Sequence, residues 1–292
     1  MIKQVCTILL LAMTLVGCSN NQEKRIAIAS KNFTEQVILG ELFAQHIEAK
    51  TNLKVDRRLN LGGTFICHQG IVAGEIDIYP EYTGTAFTAI LKNQPINDSK
   101  VVFQKVKQAY ADQFGLTVMA PLGFNNTFAI IVRQQDAKQL GITTISDAAK
   151  YTPKWRAGFG YEFTQRADGF EGLAKTYGLK FAESPKSMDL GLTYRAIADK
   201  QVDLIAGDST AGLISSLNLV VLKDDKHYFP PYDAVAIARK ATLEKYPELN
   251  QVLKDLEGKI SEDDMRRLNF MVDGEKRDVR QVVREFRQSR DL

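Results

Sequence analysis

Short apolar runs suited to β-strands alternate with segments of helical periodicity along almost the whole chain. No other feature limits the fold as strongly, and it predicts an α/β architecture with largely parallel sheets. The first unit shows the grammar. Residues 25–30 (Arg-Ile-Ala-Ile-Ala-Ser) read as a strand, Asn32-x-x-Glu35 as a capping-box variant, and Ile38, Leu39, Leu42, Phe43 and Ile47 as the apolar face of a helix. Further strands are predicted at 54–60, at 76–79 ending on Pro80, and at 128–133, 155–159, 202–206, 220–222 and 234–238, with a tight turn at Gly62-Gly63-Thr64. One helix is bracketed by Asp168-x-x-Glu171 and Gly178, another opens at Ser261-x-x-Asp264, and the last carries Val279, Val282, Val283 and Phe286 on one stripe. The pattern suggests a discontinuous lobe of residues 25–127 with 232–292 and an inserted lobe of residues 128–231, joined by crossings near Asn126 and Pro231. Ligand sites favour such inter-lobe clefts and the carboxyl ends of parallel strands.

The N-terminal residues speak to compartment. Lys3 precedes an uncharged apolar run, Ile8 to Val16, that is too short for a comfortable permanent span and reads as a signal peptide. Leu15-Val16-Gly17-Cys18 resembles a bacterial lipobox, so residues 1–17 are expected to be removed, Cys18 to carry lipid, and residues 18–24 to form a tether, which implies an extracytoplasmic, lipid-anchored protein. Cys6 leaves with the signal and Cys18 is acylated; only Cys67 then remains, and no intrachain disulfide can form. Stability must come from the core. Loss of Lys3 takes the formal charge from +3 to +2, which gives no electrostatic basis for nucleic-acid binding. The remaining length suits two domains of about 100 to 150 residues.

The densest functional signal is Gly74-Glu75-Ile76-Asp77-Ile78-Tyr79-Pro80-Glu81-Tyr82-Thr83-Gly84-Thr85, a strand end running into a polar, aromatic turn. Four more segments accompany it: Ser30-Lys31-Asn32-Phe33-Thr34-Glu35-Gln36, Leu61-Gly62-Gly63-Thr64, Gly123-Phe124-Asn125-Asn126-Thr127-Phe128, and Asp224 through Tyr232. In this order the five closely resemble the substrate-binding proteins of osmoprotectant importers, which take up glycine betaine, choline, carnitine and related quaternary amines. The resemblance spans essentially everything after Cys18. It implies a periplasmic-binding-protein-like (type II) two-lobe fold, a small cationic ligand in the cleft, ABC permease and ATPase subunits as partners, and a monomer without cofactor.

The chemistry such a ligand demands is simple. A quaternary ammonium has no N–H to donate, so it is held by charge, dispersion and cation–π attraction, each ring face contributing about 0.5–2 kcal/mol. By the resemblance, Tyr82 and Tyr232 match cage tyrosines, and Phe128 stands where the family usually has a tyrosine, keeping the ring face and losing the hydroxyl. Lys31, Thr85 and Arg166 match grips for a ligand carboxylate, Asn126 a polar contact to the head group, and Gln36 a further candidate. One departure matters most: Gly207-Asp208-Ser209-Thr210 puts Asp208 where relatives with a full cage have an aromatic wall. Direct charge pairing with a cation, shifting preference towards choline or a simpler amine, is the expectation.

Other readings are plainer. Tyr79, Tyr161, Tyr194 and Tyr228 are expected to be packing residues, and His46, His68 and His227 lack metal-ligand spacing, so no metal is expected. Gly207-Asp208-Ser209 and Asp224-x-x-His227 are similar to esterase serine and histidine blocks, but only 15 positions separate Ser209 from Asp224, and a triad is judged by geometry and roles. A sensory module without transport is the remaining alternative.

Overall fold

The computed structural model describes residues 25–292; the expected signal segment, Cys18 and the whole tether lie outside the described residues. Ten strands are described: β1 (Arg25–Lys31), β2 (Lys54–Gly62), β3 (Ile78–Tyr82), β4 (Leu116–Val118), β5 (Phe128–Arg133), β6 (Ala157–Gly160), β7 (Lys186–Met188), β8 (Leu204–Asp208), β9 (Leu219–Leu222) and β10 (Ala234–Arg239). They form two five-stranded sheets, ordered β2-β1-β3-β10-β4 and β7-β6-β8-β5-β9. Each sheet is the centre of one lobe.

The sheets are mixed rather than largely parallel. β1 pairs in parallel with β2 and β3, and β6 with β7 and β8. β10 runs antiparallel to β3 and β4, and β5 antiparallel to β8 and β9. The reversed strands, β5 and β10, are those entered directly from the opposite lobe, so they approach their sheets from the cleft side. β3 also continues through Pro80 to Tyr82, further than the sequence predicts. Its bridge to β1 is confined to Ile28 and Ile78, so the missing Pro80 N–H falls beyond that ladder while β10 pairs along its other side.

Strand alternation builds a layer on either face of each sheet. In β1, Ile26 and Ile28 join Ile38, Leu42 and Phe43 of the helix Thr34–Lys50, while Ala27 and Ala29 face Cys67, Ile71 and Tyr79. In β5, Ile130 and Val132 point one way and Ala129 and Ile131 the other, towards Tyr194 and Ile197. The helix Thr34–Lys50 is buried on most of its circumference, between the sheet and the C-terminal helices Glu262–Asp273 and Val279–Ser289. Even its Glu41 is buried, held by Arg57 at 2.8 Å.

Local cap signals divide instructively. Ser261 and Asp264 make both bonds of a capping box, and Gly178 closes the helix Phe170–Tyr177 at φ 68°. The other two expected N-caps are not caps. Phe33 occupies the cap position before Thr34 and Gly169 the one before Phe170, neither with a side-chain cap bond. Asn32, Glu35 and Asp168 instead face the cleft or its surroundings.

Candidate functional site

The carboxyl ends of the parallel strands converge on the cleft. Lys31 ends β1, Tyr82 ends β3, Asp208 ends β8, and Glu162 follows β6 in the short helix Tyr161–Gln165. β5 enters in the opposite sense, so its first residue, Phe128, meets them there. Between the lobes these side chains enclose a cavity of about 110 Å³, room for roughly four waters at their ~30 Å³ share of the liquid.

Eight of the nine predicted residues line this space: Lys31, Tyr82, Thr85, Asn126, Phe128, Arg166, Asp208 and Tyr232. Gln36 does not. It is fully buried behind the wall, where its Oε1 accepts the Lys31 backbone N–H at 3.4 Å. Tyr161, expected to pack, is 57% exposed and lines the cavity, whereas Tyr79 and Tyr194 are buried. Tyr194 also donates nothing to the ligand space; its Oη lies 3.1 Å from the Asp208 amide, which donates to it. Tyr228 donates to the carbonyls of Ala167 and Gly169, bracing the turn that follows Arg166. Ser209 and Asp224 do not approach a triad: the Ser209 hydroxyl accepts from the Thr127 amide at 3.2 Å, and Asp224 accepts from the Tyr177 hydroxyl and the amides of Tyr228 and Phe229.

The aromatic walls already carry cations belonging to the protein. The Arg166 guanidinium lies 4.9 Å from the Phe128 ring centre and 5.8 Å from that of Tyr232, and Lys31 Nζ lies 5.1 Å from the Tyr82 ring centre. Each is paired. Arg166 forks onto Asp168, Nε to Oδ1 at 2.9 Å and Nη2 to Oδ2 at 2.5 Å, and its Nη1 donates to Thr85 at 3.1 Å. Lys31 Nζ bonds Glu81. Asp168 further accepts from Thr88 and Tyr232, each at 2.6 Å. Burial opposes its ionisation, yet the guanidinium and these bonds hold the carboxyl below the usual range.

Two carboxylates have a different balance. Glu35, only 2% exposed, gathers donors from both lobes: Tyr82 Oη at 2.7 Å and Asn126 Nδ2 at 2.9 Å on one oxygen, Thr210 Oγ1 and Asn269 Nδ2 on the other. Burial still outweighs these bonds and raises its pKa. Asp208 receives no side-chain hydrogen bond among the described residues. Burial first, and then the charge of Glu35, push it up to about 7, against the pull of Lys31 and Arg166. An acid that faces a cavity without a partner is poised for a cation.

Residues that sequence reasoning missed complete the walls. Phe33 stacks on Tyr82 at 6.4 Å between ring centres and sits inside a motif already singled out. Glu162 stands two positions beyond the carboxyl end of the parallel strand β6, which is the signal that could have found it. Asp189 and Leu190, at the start of a helix after the edge strand β7, carried no such signal.

Known proteins agree with this geometry. Residues 24–289 match the family model OpuAC, described as the substrate binding domain of ABC-type glycine betaine transport system. The carnitine transport binding protein OpuCC of Listeria monocytogenes is 36% identical over 97% of this chain and 92% of its own length. The ergothioneine transport permease/ergothioneine binding protein EgtU of Helicobacter pylori is also 36% identical, over 94% of this chain, which spans about half (49%) of that longer protein. A crystal structure of a glycine betaine/carnitine/choline ABC transporter protein superposes with a TM-score of 0.75 at 35% identity, covering 90% of this chain and 98% of the other. The two-lobed cleft protein described here belongs to the OpuAC family, the substrate-binding domains of ABC-type glycine betaine transport systems.

Proposed function

We propose that this protein captures a small quaternary amine in the inter-lobe cavity, outside the cytoplasm, and delivers it to an ABC permease while held to the membrane through lipid on Cys18. The observation that carries the reading is the unpartnered Asp208 carboxylate in a small cavity walled by Tyr82, Phe128, Phe33 and Tyr232. The ligand's cationic head lies against Asp208 and the free ring faces; a carboxylate tail, where the ligand has one, reaches Thr85 and the remaining N–H of Arg166. The charge balance supports a ligand with net positive charge. Lys31 pairs with Glu81, and Arg166 pairs with Asp168 and stands 3.9 Å from Glu162, which leaves Asp208 and Asp189 on the cavity wall with no ion-pair partner among the described residues. Ligands named for the relatives (carnitine, glycine betaine, ergothioneine) share the quaternary ammonium, which supports the common head group more than any one compound.

A thermal-shift screen of choline, glycine betaine, carnitine and ergothioneine tests the reading, because a ligand bound only by the native state raises its melting temperature by mass action. Stabilisation by quaternary amines, strongest for choline, is the expected result; no response to any of them defeats it. Fatty-acid labelling that persists in Cys18→Ala would remove the anchor from the proposal, and unimpaired uptake in a deletion strain would remove the delivery.

A further inference from the structure

We propose that Glu162 is the positioning residue that ties an occupied cavity to closed lobes, an inference that rests on reading the cavity as the ligand site. Glu162 belongs to the lobe of the β7-β6-β8-β5-β9 sheet, yet its carboxylate bonds the other lobe. One oxygen accepts the backbone N–H of Thr64, and the second accepts the Thr64 hydroxyl at 3.2 Å. Thr64 is the first residue of the helix Thr64–Ala73, whose N-cap, Gly63, has no side chain to satisfy the helix. The leading N–H groups of a helix have no partner within it and favour negative charge. Glu162 therefore supplies, across the cleft, the cap that the helix lacks in its own lobe.

Two further observations fit this role. A Cβ built on Gly63 would collide with the Glu162 carboxylate, so the glycine is what lets the carboxylate approach. The same side chain also lines the cavity and stands 3.9 Å from Arg166 Nη1. One carboxylate thus touches the ligand space, the guanidinium over the aromatic wall, and the opposite lobe. When the lobes part, Thr64 and Glu162 both return to water, and little is lost. Filling the cavity excludes that water, and a charged hydrogen bond strengthens as its surroundings become less polar. Glu162 accordingly prolongs the closed state, and its effect falls on ligand dissociation more than on encounter.

The test uses Glu162→Gln, Gly63→Ala and the double variant. Glutamine keeps the shape but turns an N–H₂ group towards donors, while alanine displaces the carboxylate without altering it. Each single change is expected to speed dissociation of choline or another bound quaternary amine roughly 10- to 100-fold, the range for losing a charged hydrogen bond, and the double variant should be no faster than the quicker single. Hydrogen exchange at the Thr64 amide, slowed by ligand in the wild type, should be slowed far less in Glu162→Gln, with the ligand-free melting temperature unchanged. Dissociation within about twofold of wild type in Glu162→Gln, or fully multiplicative effects in the double variant, overturns the proposal. If no quaternary amine binds the wild type, the functional reading fails and this inference, which rests on it, falls with it; binding that persists with unchanged dissociation in Glu162→Gln overturns the inference alone.

Discussion

Asp208 makes ligand affinity and protein stability respond to pH in opposite senses. With its pKa at about 7, the side chain is largely neutral at pH 5 and ionised at pH 9. A cationic head group needs the ionised form. Affinity should therefore fall about tenfold per pH unit well below 7, to about a hundredfold weaker at pH 5 than at pH 9. Asp208→Asn abolishes that slope and removes an attraction of about 4 kcal/mol at ~4 Å in an effective dielectric of ~20, a loss of up to about three orders of magnitude at pH 8. Stability runs the other way. The folded pKa lies above the ordinary aspartate value of about 3.8, so the contribution of Asp208 is fully present below that value and is lost as pH rises through 7. Three units correspond to at most about 4 kcal/mol. The ligand-free Asp208→Asn protein should consequently melt above wild type at pH 8, and the two should converge near pH 4. Titration calorimetry in buffers of different ionisation enthalpy, paired with melting curves over the same pH range, reads both effects. Affinity for a cation that is flat from pH 5 to 9, together with equal binding by Asp208→Asn, would refute the reasoning.

Three further perturbations have defined outcomes. Gly84→Ala places a methyl 2.6 Å from the Pro231 carbonyl and 2.7 Å from the Tyr232 ring; about 1–3 kcal/mol of destabilisation in urea melts is expected, with a matching loss of ligand affinity as the ring is displaced. Arg166→Ala leaves Asp168 buried with its positive partner gone and should cost about 3–5 kcal/mol in the same melts, while Asp168→Asn/Arg166→Met should recover part of that loss. Tyr82→Phe keeps the ring but removes the 2.7 Å bond to Glu35; stability should drop about 1–3 kcal/mol, and calorimetry should show affinity reduced by less than about tenfold, since the cation–π face survives.

What was legible in the sequence was mostly local. The cap at Gly178 and the box at Ser261 and Asp264 need only residues within a few positions, and both formed. Asn32-x-x-Glu35 and Asp168-x-x-Glu171 have the same spelling, yet Glu35 and Asp168 bond partners up to 234 positions away. A carboxylate written as a cap can be claimed by a stronger tertiary site, and spacing does not distinguish the two. The edge strands β4 and β7, three residues each, are too short to show alternation. Tyr82, Phe128 and Tyr232 were readable because ordered motifs marked them, Arg166 through the family resemblance, and Asp208 as a departure from it. For Glu162 the strand-end position was the only hint, because its bonds to Thr64 exist only where another lobe's helix end stands opposite it.

The placement of β10 bears on how the polypeptide comes to be folded. It lies between β3 and β4, so neither can gain its neighbour on that side until residues 234–239 have been made. The ribosome adds some 115 residues between the end of β4 and the start of β10, which takes about 6 to 23 s at ~5–20 residues per second. Through that interval the β5–β9 sheet, contiguous in sequence, can assemble while β3 waits with an open edge, the kind of exposed strand that invites wrong pairing. The half of the molecule that begins first is thus the one that finishes last.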